Sequence, residues 1–273
     1  MIINMSKIKI GIALGGGGAR GVAHIGVLKT LDKERIKVDL IVGVSSGAFA
    51  GACYCLGITP LEMEQEMATF NRRKSWHRIL DFTAFNGAIL KGDKVYNYIR
   101  QTLEEKSFAD TKIPLQIVAT DLANGEEVIL KKGNLAKAVQ ASISVPGIFP
   151  PVKINDRYLI DGGVVNPTPI DVAKKMGADI IIGVDLITKK ANVIADKPSM
   201  ITTLIQSYEI IRNQAVKFKM REAGNDAIII KPKLRRMIDS FKFYDLQKFI
   251  DSGEEATLEA MPEIKRRLAK LEK

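Results

Sequence analysis

Ser45 is the residue whose surroundings most clearly indicate covalent chemistry. It lies at the centre of residues 43–47, a GVSSG sequence that follows an apolar run at 38–42 and precedes a small-residue run at 47–56. A serine on a sharp strand-to-helix turn needs small neighbours, because the backbone is crowded and the hydroxyl must point outward. The following helix directs its free N–H groups and positive dipole end toward that hydroxyl. The pattern predicts a nucleophilic serine; the alternative is a glycine-rich helix start with an N-capping serine.

The glycine-rich run at residues 15–21 is the second candidate for a functional element. Backbone amides at a glycine-rich helix start can hold an anion, and in acyl transfer they stabilise the oxyanion of the tetrahedral intermediate. Gly16, Gly18 and Gly21 also satisfy the dinucleotide pattern GxGxxG, which requires an acidic residue near the end of the second strand. Asp39 stands instead at the start of that strand, and its end leads to Ser45. We therefore disfavour a dinucleotide site.

The two histidines of the chain are poor candidates for the base that Ser45 needs. His24 falls on an apolar helix face, which favours a histidine satisfied within the core. His77 lies in a basic, aromatic segment, and no acid-then-histidine arrangement of the ordinary α/β-hydrolase order follows it. A Ser-His-Asp triad is therefore disfavoured, and a carboxylate is the remaining candidate.

Asp161 is the strongest candidate among the carboxylates. It ends a short predicted strand, and the glycines at 162 and 163 allow a tight turn behind it. Burial in an apolar cleft would raise the pKa of its carboxyl toward values useful to a base. The alternative is an aspartate that caps its own turn. Asp121 and Asp185, at other strand ends, are weaker candidates.

Alternating strand and helix patterns are expected to position these residues. A parallel sheet covered by helices is the architecture that such alternation predicts. Asn124-Gly125 predicts a two-residue hairpin. Strands are predicted at residues 7–14, 38–42, 115–122, 126–130, 157–160, 180–186 and 227–231, and helices at 19–34, 47–56, 61–71, 93–105, 135–143, 169–176, 200–221 and 244–272.

The loss of periodicity at residues 188–198 marks the most plausible linker. We predict a catalytic domain at residues 6–190 and a mostly helical C-terminal segment at 191–273, packed on it as part of the same structural unit.

Two segments, 71–90 and 231–243, combine cations with bulky apolar residues, which suits a lipid interface. The alternative for each is an amphipathic element packed on the core, and a lid formed by 71–90 is a hypothesis.

Composition narrows the setting of the protein. Of 273 residues, 46% are hydrophobic and 26% charged, which is ordinary for a globular protein. The sequence has no apolar run long enough for a membrane span and no recognisable signal peptide. Cys53 and Cys55, two positions apart on a predicted helix, are poor disulfide partners, so we expect a cytoplasmic protein. The net charge of +10 suits an anionic partner, the alternative being a soluble protein that simply carries a net charge. Because no nucleic-acid-binding motif is present, we expect an anionic membrane surface rather than nucleic acid.

The order GGGGARG, GVSSG and DGG resembles the patatin-like phospholipase family, in particular bacterial members related to neuropathy-target-esterase catalytic domains. The stretches at residues 141–151 and 166–169 are also similar to that family, and the likeness covers residues 8–187. The resemblance implies a three-layer α/β/α sandwich with a mainly parallel central sheet. It implies a Ser-Asp dyad of Ser45 and Asp161. The other motif positions are the oxyanion-hole residues Gly16, Gly17, Gly18 and Arg20, and the glycines Gly21, Gly43, Gly47, Gly162 and Gly163.

The expected activity is hydrolysis of an acyl ester in a phospholipid or lysophospholipid through an acyl-enzyme, without a metal or organic cofactor. The expected partner is a lipid or acyl-ester substrate. The protein is also expected to bind peripherally to the inner face of an anionic membrane, and nucleic acid is not expected. One alternative is an esterase or lipase acting on neutral acylglycerols or other acyl esters. The other is a non-catalytic, membrane-associated regulatory protein with the same fold.

Overall fold

The protein is represented by a computed structural model that describes residues 8–72, 81, 88–186, 199–223, 226–234 and 246–272. A central sheet of eight strands runs through these residues in the order β5-β6-β3-β2-β1-β7-β8, with β4 also paired to β3. The strands are β1 (Ile10–Leu14), β2 (Leu40–Val44), β3 (Leu115–Asp121), β4 (Glu127–Leu130), β5 (Val152–Ile154), β6 (Arg157–Asp161), β7 (Ile180–Val184) and β8 (Ala227–Ile230).

The sheet is mixed rather than uniformly parallel. β3, β2, β1, β7 and β8 are parallel neighbours, as the strand–helix alternation predicted. On the other side, β4 and β6 both pair antiparallel to β3, and β5 pairs antiparallel to β6. Short connections explain two of these pairings: no helix separates β3 from β4 or β5 from β6, so the chain returns in the opposite direction. β5 was not predicted from the sequence.

Helices cover both faces of the sheet. They are α1 (Ala23–Lys33), α2 (Ser46–Leu56), α3 (Pro60–Arg72), α4 (Asp93–Thr102), α5 (Leu135–Ser142), α6 (Ile170–Lys175), α7 (Met200–Ala223) and α8 (Leu246–Leu271). Successive residues of β1 point to opposite faces: Ile12 and Leu14 join a core with α1, α2 and α8, whereas Ala13 joins a second core with α6. The three-layer α/β/α architecture is therefore confirmed.

The hairpin between β3 and β4 differs from the expected two-residue turn. The Asp121 amide donates to the Glu126 carbonyl, and the Gly125 amide donates back to the Asp121 carbonyl, so four residues form the loop. Only Gly125 in this loop has a positive φ, of 73°. A type I′ turn needs positive φ at both central residues, and Asn124 does not adopt it. Gly125 therefore closes a longer loop.

The C-terminal helix α8 packs closely against α1. A Cβ atom on Gly26 of α1 would lie 2.0 Å from the Ile250 carbonyl oxygen, and one on Gly253 of α8 would lie 2.1 Å from the Ala23 carbonyl oxygen. Each helix thus has a glycine where the backbone of the other approaches. This contact attaches the end of the chain to the fold, and the expected boundary near residue 190 stays a prediction.

Several other expectations concern the surroundings of the fold. The expected linker at 188–198 lies outside the described residues, as does most of the two lipid-interface segments, at 73–80, 82–87 and 235–243. Cys53 and Cys55 are buried free thiols, and burial raises the pKa of Cys53 to about 12. Among the helices described, none combines the length and the apolar character that a membrane span needs.

Candidate active site

Ser45 occupies a strained turn between β2 and α2. Its φ of 56° is a positive value that non-glycine residues seldom adopt. A Cβ atom on Gly47 would lie 2.2 Å from the Leu14 carbonyl oxygen, and one on Gly43 would lie 2.6 Å from the Cα atom of Ala48. Larger residues could therefore not replace these glycines without moving the turn. The sharp strand-to-helix turn, or elbow, expected from the GxSxG pattern is therefore present, and the role of Ser45 as a nucleophile stays a prediction.

The backbone of the elbow is held by Ser142, at the end of α5. The Ser45 amide donates to Ser142 Oγ at 2.8 Å, and Ser142 Oγ donates to the Val118 carbonyl oxygen at 2.6 Å. Because Ser142 is fully buried, these two bonds join the elbow to β3 without solvent. Ser142 belongs to the stretch at 141–151 that resembles the family, but the sequence did not assign it this function.

The glycine-rich loop after β1 lies beside the elbow, and its members have different roles. The Gly16 amide donates to the Pro167 carbonyl oxygen at 3.0 Å, so it is already engaged and does not fit the expected role of an oxyanion-hole donor. Gly16 instead allows close approach, since a Cβ atom there would lie 3.1 Å from Ser45 Cβ. Gly17 and Gly18 line the same pocket as Ser45. The candidate oxyanion hole is therefore reduced to Gly17 and Gly18.

His24 supports this loop from within the core. Its side chain is fully buried, and Nε2 lies 2.7 Å from the Gly15 carbonyl oxygen. A carbonyl can only accept, so Nε2 carries the proton and donates. Burial lowers the pKa of His24 to about 4, so the ring is neutral at physiological pH. The interpretation as a core histidine therefore fits, and the ring orients the loop.

Arg20 and Gly21 lie on the short 3₁₀ turn that follows the loop. The Arg20 guanidinium is 1% exposed, and its Nε donates to the Gly17 carbonyl oxygen at 3.1 Å. A Cβ atom on Gly21 would lie 2.3 Å from Ser46 Cβ, so the turn touches the elbow directly. Arg20 thus stabilises the loop through the carbonyl of Gly17, a residue that lines the pocket.

Asp161 ends β6 and is completely buried. Its Oδ1 accepts the Gly163 amide proton at 2.6 Å, whereas Oδ2 has no well-formed hydrogen bond to the described residues. Burial raises the pKa of the carboxyl; Arg212 opposes this most strongly, followed by the neighbouring Ser45 hydroxyl. A carboxyl with a raised pKa and an oxygen that can accept a proton is suited to a general base.

The two glycines after Asp161 let other elements approach it. A Cβ atom on Gly162 would lie 2.3 Å from the Val118 carbonyl oxygen. One on Gly163 would lie 2.9 Å from Asp161 Oδ1, 2.9 Å from the Tyr208 hydroxyl and 3.2 Å from Arg212 Nε. The DGG sequence therefore marks the point where α7 meets the carboxylate.

One pocket joins the predicted residues with others that the sequence did not single out. It is lined by Gly17, Gly18, Arg20, Ser45, Val145, Ile148, Asp161, Tyr208, Glu209 and Arg212. The last three come from α7, for which the sequence predicted a helix and no function. Asp121 and Asp185 lie elsewhere, paired with Arg157 at 3.6 Å and Lys231 at 3.5 Å. The described part of the chain holds no cluster of His, Cys, Asp and Glu suited to a metal ion.

The fold and the elbow together define a class of α/β protein with a serine on a sharp turn at the end of a central parallel strand. The crystal structure of VipD from Legionella pneumophila has this fold, with a TM-score of 0.55 and 14% sequence identity over 90% of this chain and 67% of that chain. The model of the family described as patatin-like phospholipase matches residues 12–174, more than half of the chain. The protein belongs to this family.

Similar sequences agree with this membership. A patatin-like phospholipase domain-containing protein of Caenorhabditis elegans is 36% identical over 181 residues, 65% of this chain and 13% of that protein. An uncharacterised NTE family protein of Mycobacterium tuberculosis is 32% identical over 197 residues, 72% of this chain and 54% of that protein. Human patatin-like phospholipase domain-containing protein 6 is 34% identical over 187 residues, 65% of this chain and 13% of that protein. The chain thus matches only part of each relative.

Proposed function

We propose that the protein is a serine hydrolase of lipid acyl esters that uses Ser45 as nucleophile and Asp161 as base. The observation that carries the proposal is the convergence of Ser45, on a strained elbow, and the buried Asp161 in one pocket with the Gly17-Gly18 loop. The family membership and the names of the relatives support a lipid substrate.

In the proposed reaction, Ser45 Oγ attacks the ester carbonyl carbon while its proton passes to the Asp161 carboxylate. The amides of Gly17 and Gly18 stabilise the oxyanion that forms. The bond to the alcohol then breaks, and Asp161 gives the proton to the departing alcohol. Water attacks the acyl-enzyme, again losing a proton to Asp161, which returns it to Ser45 as the fatty acid leaves. No step requires a metal or an organic cofactor.

The first experiment is labelling with a fluorophosphonate, combined with turnover of a soluble p-nitrophenyl ester, for the wild type, Ser45→Ala and Asp161→Asn. We expect no labelling of Ser45→Ala and a loss of turnover of about 10⁴-fold or more in both variants. Asp121→Asn is the matched control, since Asp121 is also buried at a strand end but lies outside the pocket. Persistent labelling of Ser45→Ala would refute the nucleophile, and loss in Asp121→Asn alone would move the base there.

The preferred substrate is proposed to be a phospholipid or lysophospholipid. Its support is the family description, patatin-like phospholipase, which fits the pocket's Ser45 and Gly17-Gly18 loop. The test compares fatty-acid release from lysophosphatidylcholine, phosphatidylglycerol, monoacylglycerol and triacylglycerol by the wild type. Preference for the neutral acylglycerols would select the esterase or lipase alternative. If the wild type were labelled by the fluorophosphonate but released no fatty acid from any of these lipids, the lipid substrate would be rejected and the acyl-ester chemistry of Ser45 would still stand.

Peripheral contact with an anionic membrane belongs to the same proposal. Along α7, the side chains of Met200, Leu204, Ile211 and Phe218 are exposed, Met200 by 76% and Phe218 by 60%. Spacings of four and seven residues place them on one helix face. A Cβ atom on Gly147 would lie 3.5 Å from Leu204 Cδ1, so this apolar face begins beside Val145 and Ile148 of the pocket. The net charge of +10 suits an anionic surface.

Sedimentation with vesicles tests this contact. The variant Ile211→Ser/Phe218→Ser is expected to bind vesicles containing phosphatidylglycerol several-fold more weakly than the wild type, with unchanged turnover of the soluble ester. Leu258→Ser is the control, because Leu258 of α8 is exposed to a similar degree, 54%, but lies on another helix. Equal vesicle binding by all three proteins would reject α7 as the contact surface.

A further inference from the structure

Helix α7 places a buried group of charges beside the glycine-rich loop and beside Asp161. Arg212 is 3% exposed and Glu209 is 7% exposed, although both lie on a helix whose other residues include many exposed ones. The family model ends at residue 174, so this group lies outside the part of the chain that the family match covers. The motif-based dyad also makes no use of it.

Arg212 contacts the glycine-rich loop directly. Its Nη2 donates to the Gly16 carbonyl oxygen, and its Nη1 donates to Glu209 Oε1 at 2.8 Å. The Gly16 carbonyl belongs to the peptide unit whose N–H is that of Gly17, one of the two candidate oxyanion donors. Because a peptide unit is planar, holding the carbonyl also sets the direction of the Gly17 amide.

Glu209 joins the two arginines of the pocket. One carboxylate oxygen pairs with Arg212, and the other lies 3.7 Å from Arg20 Nη2. Arg20 in turn donates to the Gly17 carbonyl oxygen. Consecutive carbonyls of the loop, at Gly16 and Gly17, are therefore each held by a buried guanidinium, and Glu209 balances the charge between them.

Arg212 also lies beside the Asp161 carboxylate. The Gly163 turn brings together Asp161 Oδ1, the Tyr208 hydroxyl and Arg212 Nε, and the Arg212 guanidinium lies 5.5 Å from the centre of the Tyr208 ring. The groups facing Asp161 are thus Ser45 from the elbow, the Gly163 amide, and Tyr208 and Arg212 from α7. Of these, Arg212 lowers the pKa of Asp161 most, against the opposing effect of burial.

We propose that Arg212 is a positioning residue of the active site, which orients the Gly17 amide through the Gly16 carbonyl and supplies the positive charge beside Asp161. Glu209 keeps Arg212 and Arg20 in place. The inference rests on the proposed function, because it requires that Asp161 accept the proton of Ser45. It assigns to α7 a part in the reaction that the three sequence motifs do not contain.

The test is the pH dependence of kcat/KM on the soluble p-nitrophenyl ester for the wild type, Arg212→Met, Arg212→Lys and Glu209→Gln/Arg212→Met. Arg212→Met is expected to lower kcat/KM about 100-fold at the optimum, because the loop is misplaced. Its acid limb should also move up by about one pH unit, because Asp161 loses its opposite charge. Arg212→Met removes a partner of the buried Glu209 carboxylate, and the double variant removes that carboxylate as well. The double variant should show the same shift of the acid limb. Arg212→Lys keeps the positive charge, so its acid limb should stay near that of the wild type. Its rate should still be lower than that of the wild type, because an ammonium group cannot bind the Gly16 carbonyl and Glu209 together as the planar guanidinium does.

Arg221→Met is the control, since Arg221 is an exposed arginine of the same helix. The inference would be overturned if Arg212→Met had the wild-type rate. It would also be overturned if Arg212→Met and the double variant both had a lower rate but the same acid limb as the wild type. Should Arg212→Met fail to fold by circular dichroism, the full wild-type rate in Arg212→Lys would overturn it equally. An inactive wild-type enzyme would instead reject the proposed function, so the two failures are distinguishable.

Discussion

The two walls of the pocket are built in different ways. One wall is mainly backbone, from the elbow at Ser45 and the glycine-rich loop, and it packs so closely at some positions that a side chain is excluded, as at Gly47, where a Cβ atom would lie 2.2 Å from the Leu14 carbonyl oxygen. The other wall consists of the side chains of Tyr208, Glu209 and Arg212, projecting from α7. The first wall is determined by sterics, and the second by charge and hydrogen bonding.

This contrast predicts different sensitivities to mutation. At Gly43 and Gly47 on the backbone wall, adding one methyl group must move main chain, which the surrounding strands resist. On the side-chain wall, a substitution removes a charge or hydroxyl while the helix remains. We therefore expect changes to the first wall to reduce both stability and activity, and changes to the second to alter mainly rate and pH dependence.

Gly47→Ala is expected to have the largest effect. The new methyl group would overlap the Leu14 carbonyl, which should cost about 3 kcal/mol of unfolding free energy. Activity on a soluble ester should fall about 100-fold or more, because Ser45 is displaced. Urea denaturation and ester turnover measure the two effects. Gly177→Asn is the control, since Gly177 has a positive φ but open space around its Cβ position. Normal stability with normal turnover would show that the backbone wall is not determined by sterics.

Substitution of His24 is expected to have an intermediate effect, which would be measured as a change in how the free energy of unfolding depends on pH. The pKa of His24 is lowered by burial to about 4 in the folded protein, against about 6.5 in an unfolded chain. The unfolded state therefore binds a proton that the folded state does not, and the stability contributed by neutral His24 is lost as pH falls from about 6.5 toward about 4. The loss is at most about 3 kcal/mol.

His24→Gln should reduce this dependence, because a glutamine can donate to the Gly15 carbonyl without binding a proton. The measurement is the free energy of unfolding by urea between pH 7 and pH 4, compared with the wild type so that carboxylate titrations common to both cancel. His77→Gln, which removes the chain's other histidine, is the control. An unchanged slope in His24→Gln would contradict a neutral buried histidine beneath the loop.

The same contrast explains what the sequence could predict. Close backbone contacts require glycine at Gly43 and Gly47 of the elbow and at Gly162 after Asp161, and this requirement leaves a local pattern that can be recognised. The parallel strands were likewise predicted from apolar runs followed by helices. The Gly16 amide, expected as an oxyanion donor, donates to the Pro167 carbonyl oxygen, and no local pattern could indicate this contact because the two residues are distant in the sequence.

The side-chain wall left no such pattern. Glu209 and Arg212 are three positions apart, a spacing that is ordinary for an exposed ion pair on a helix surface. Their burial follows from how α7 lies on the DGG turn, and that placement depends on contacts between residues separated by more than forty positions. Periodicity predicted the helix but could not indicate that two of its charged residues face the active site.

Tyr208→Phe is the smallest change to the side-chain wall and the finest test of the comparison. The phenyl ring keeps the packing against Arg212, whereas the hydroxyl beside Asp161 is lost. Because that hydroxyl lowers the pKa of Asp161 less than Arg212 does, the acid limb of kcat/KM should move up by less than in Arg212→Met. The rate at the optimum should fall about fivefold, equivalent to one hydrogen bond of ~1 kcal/mol. Tyr158→Phe, on an exposed tyrosine, is the control. A loss of stability as large as that of Gly47→Ala would show instead that both walls are held by packing, and the distinction between them would fail.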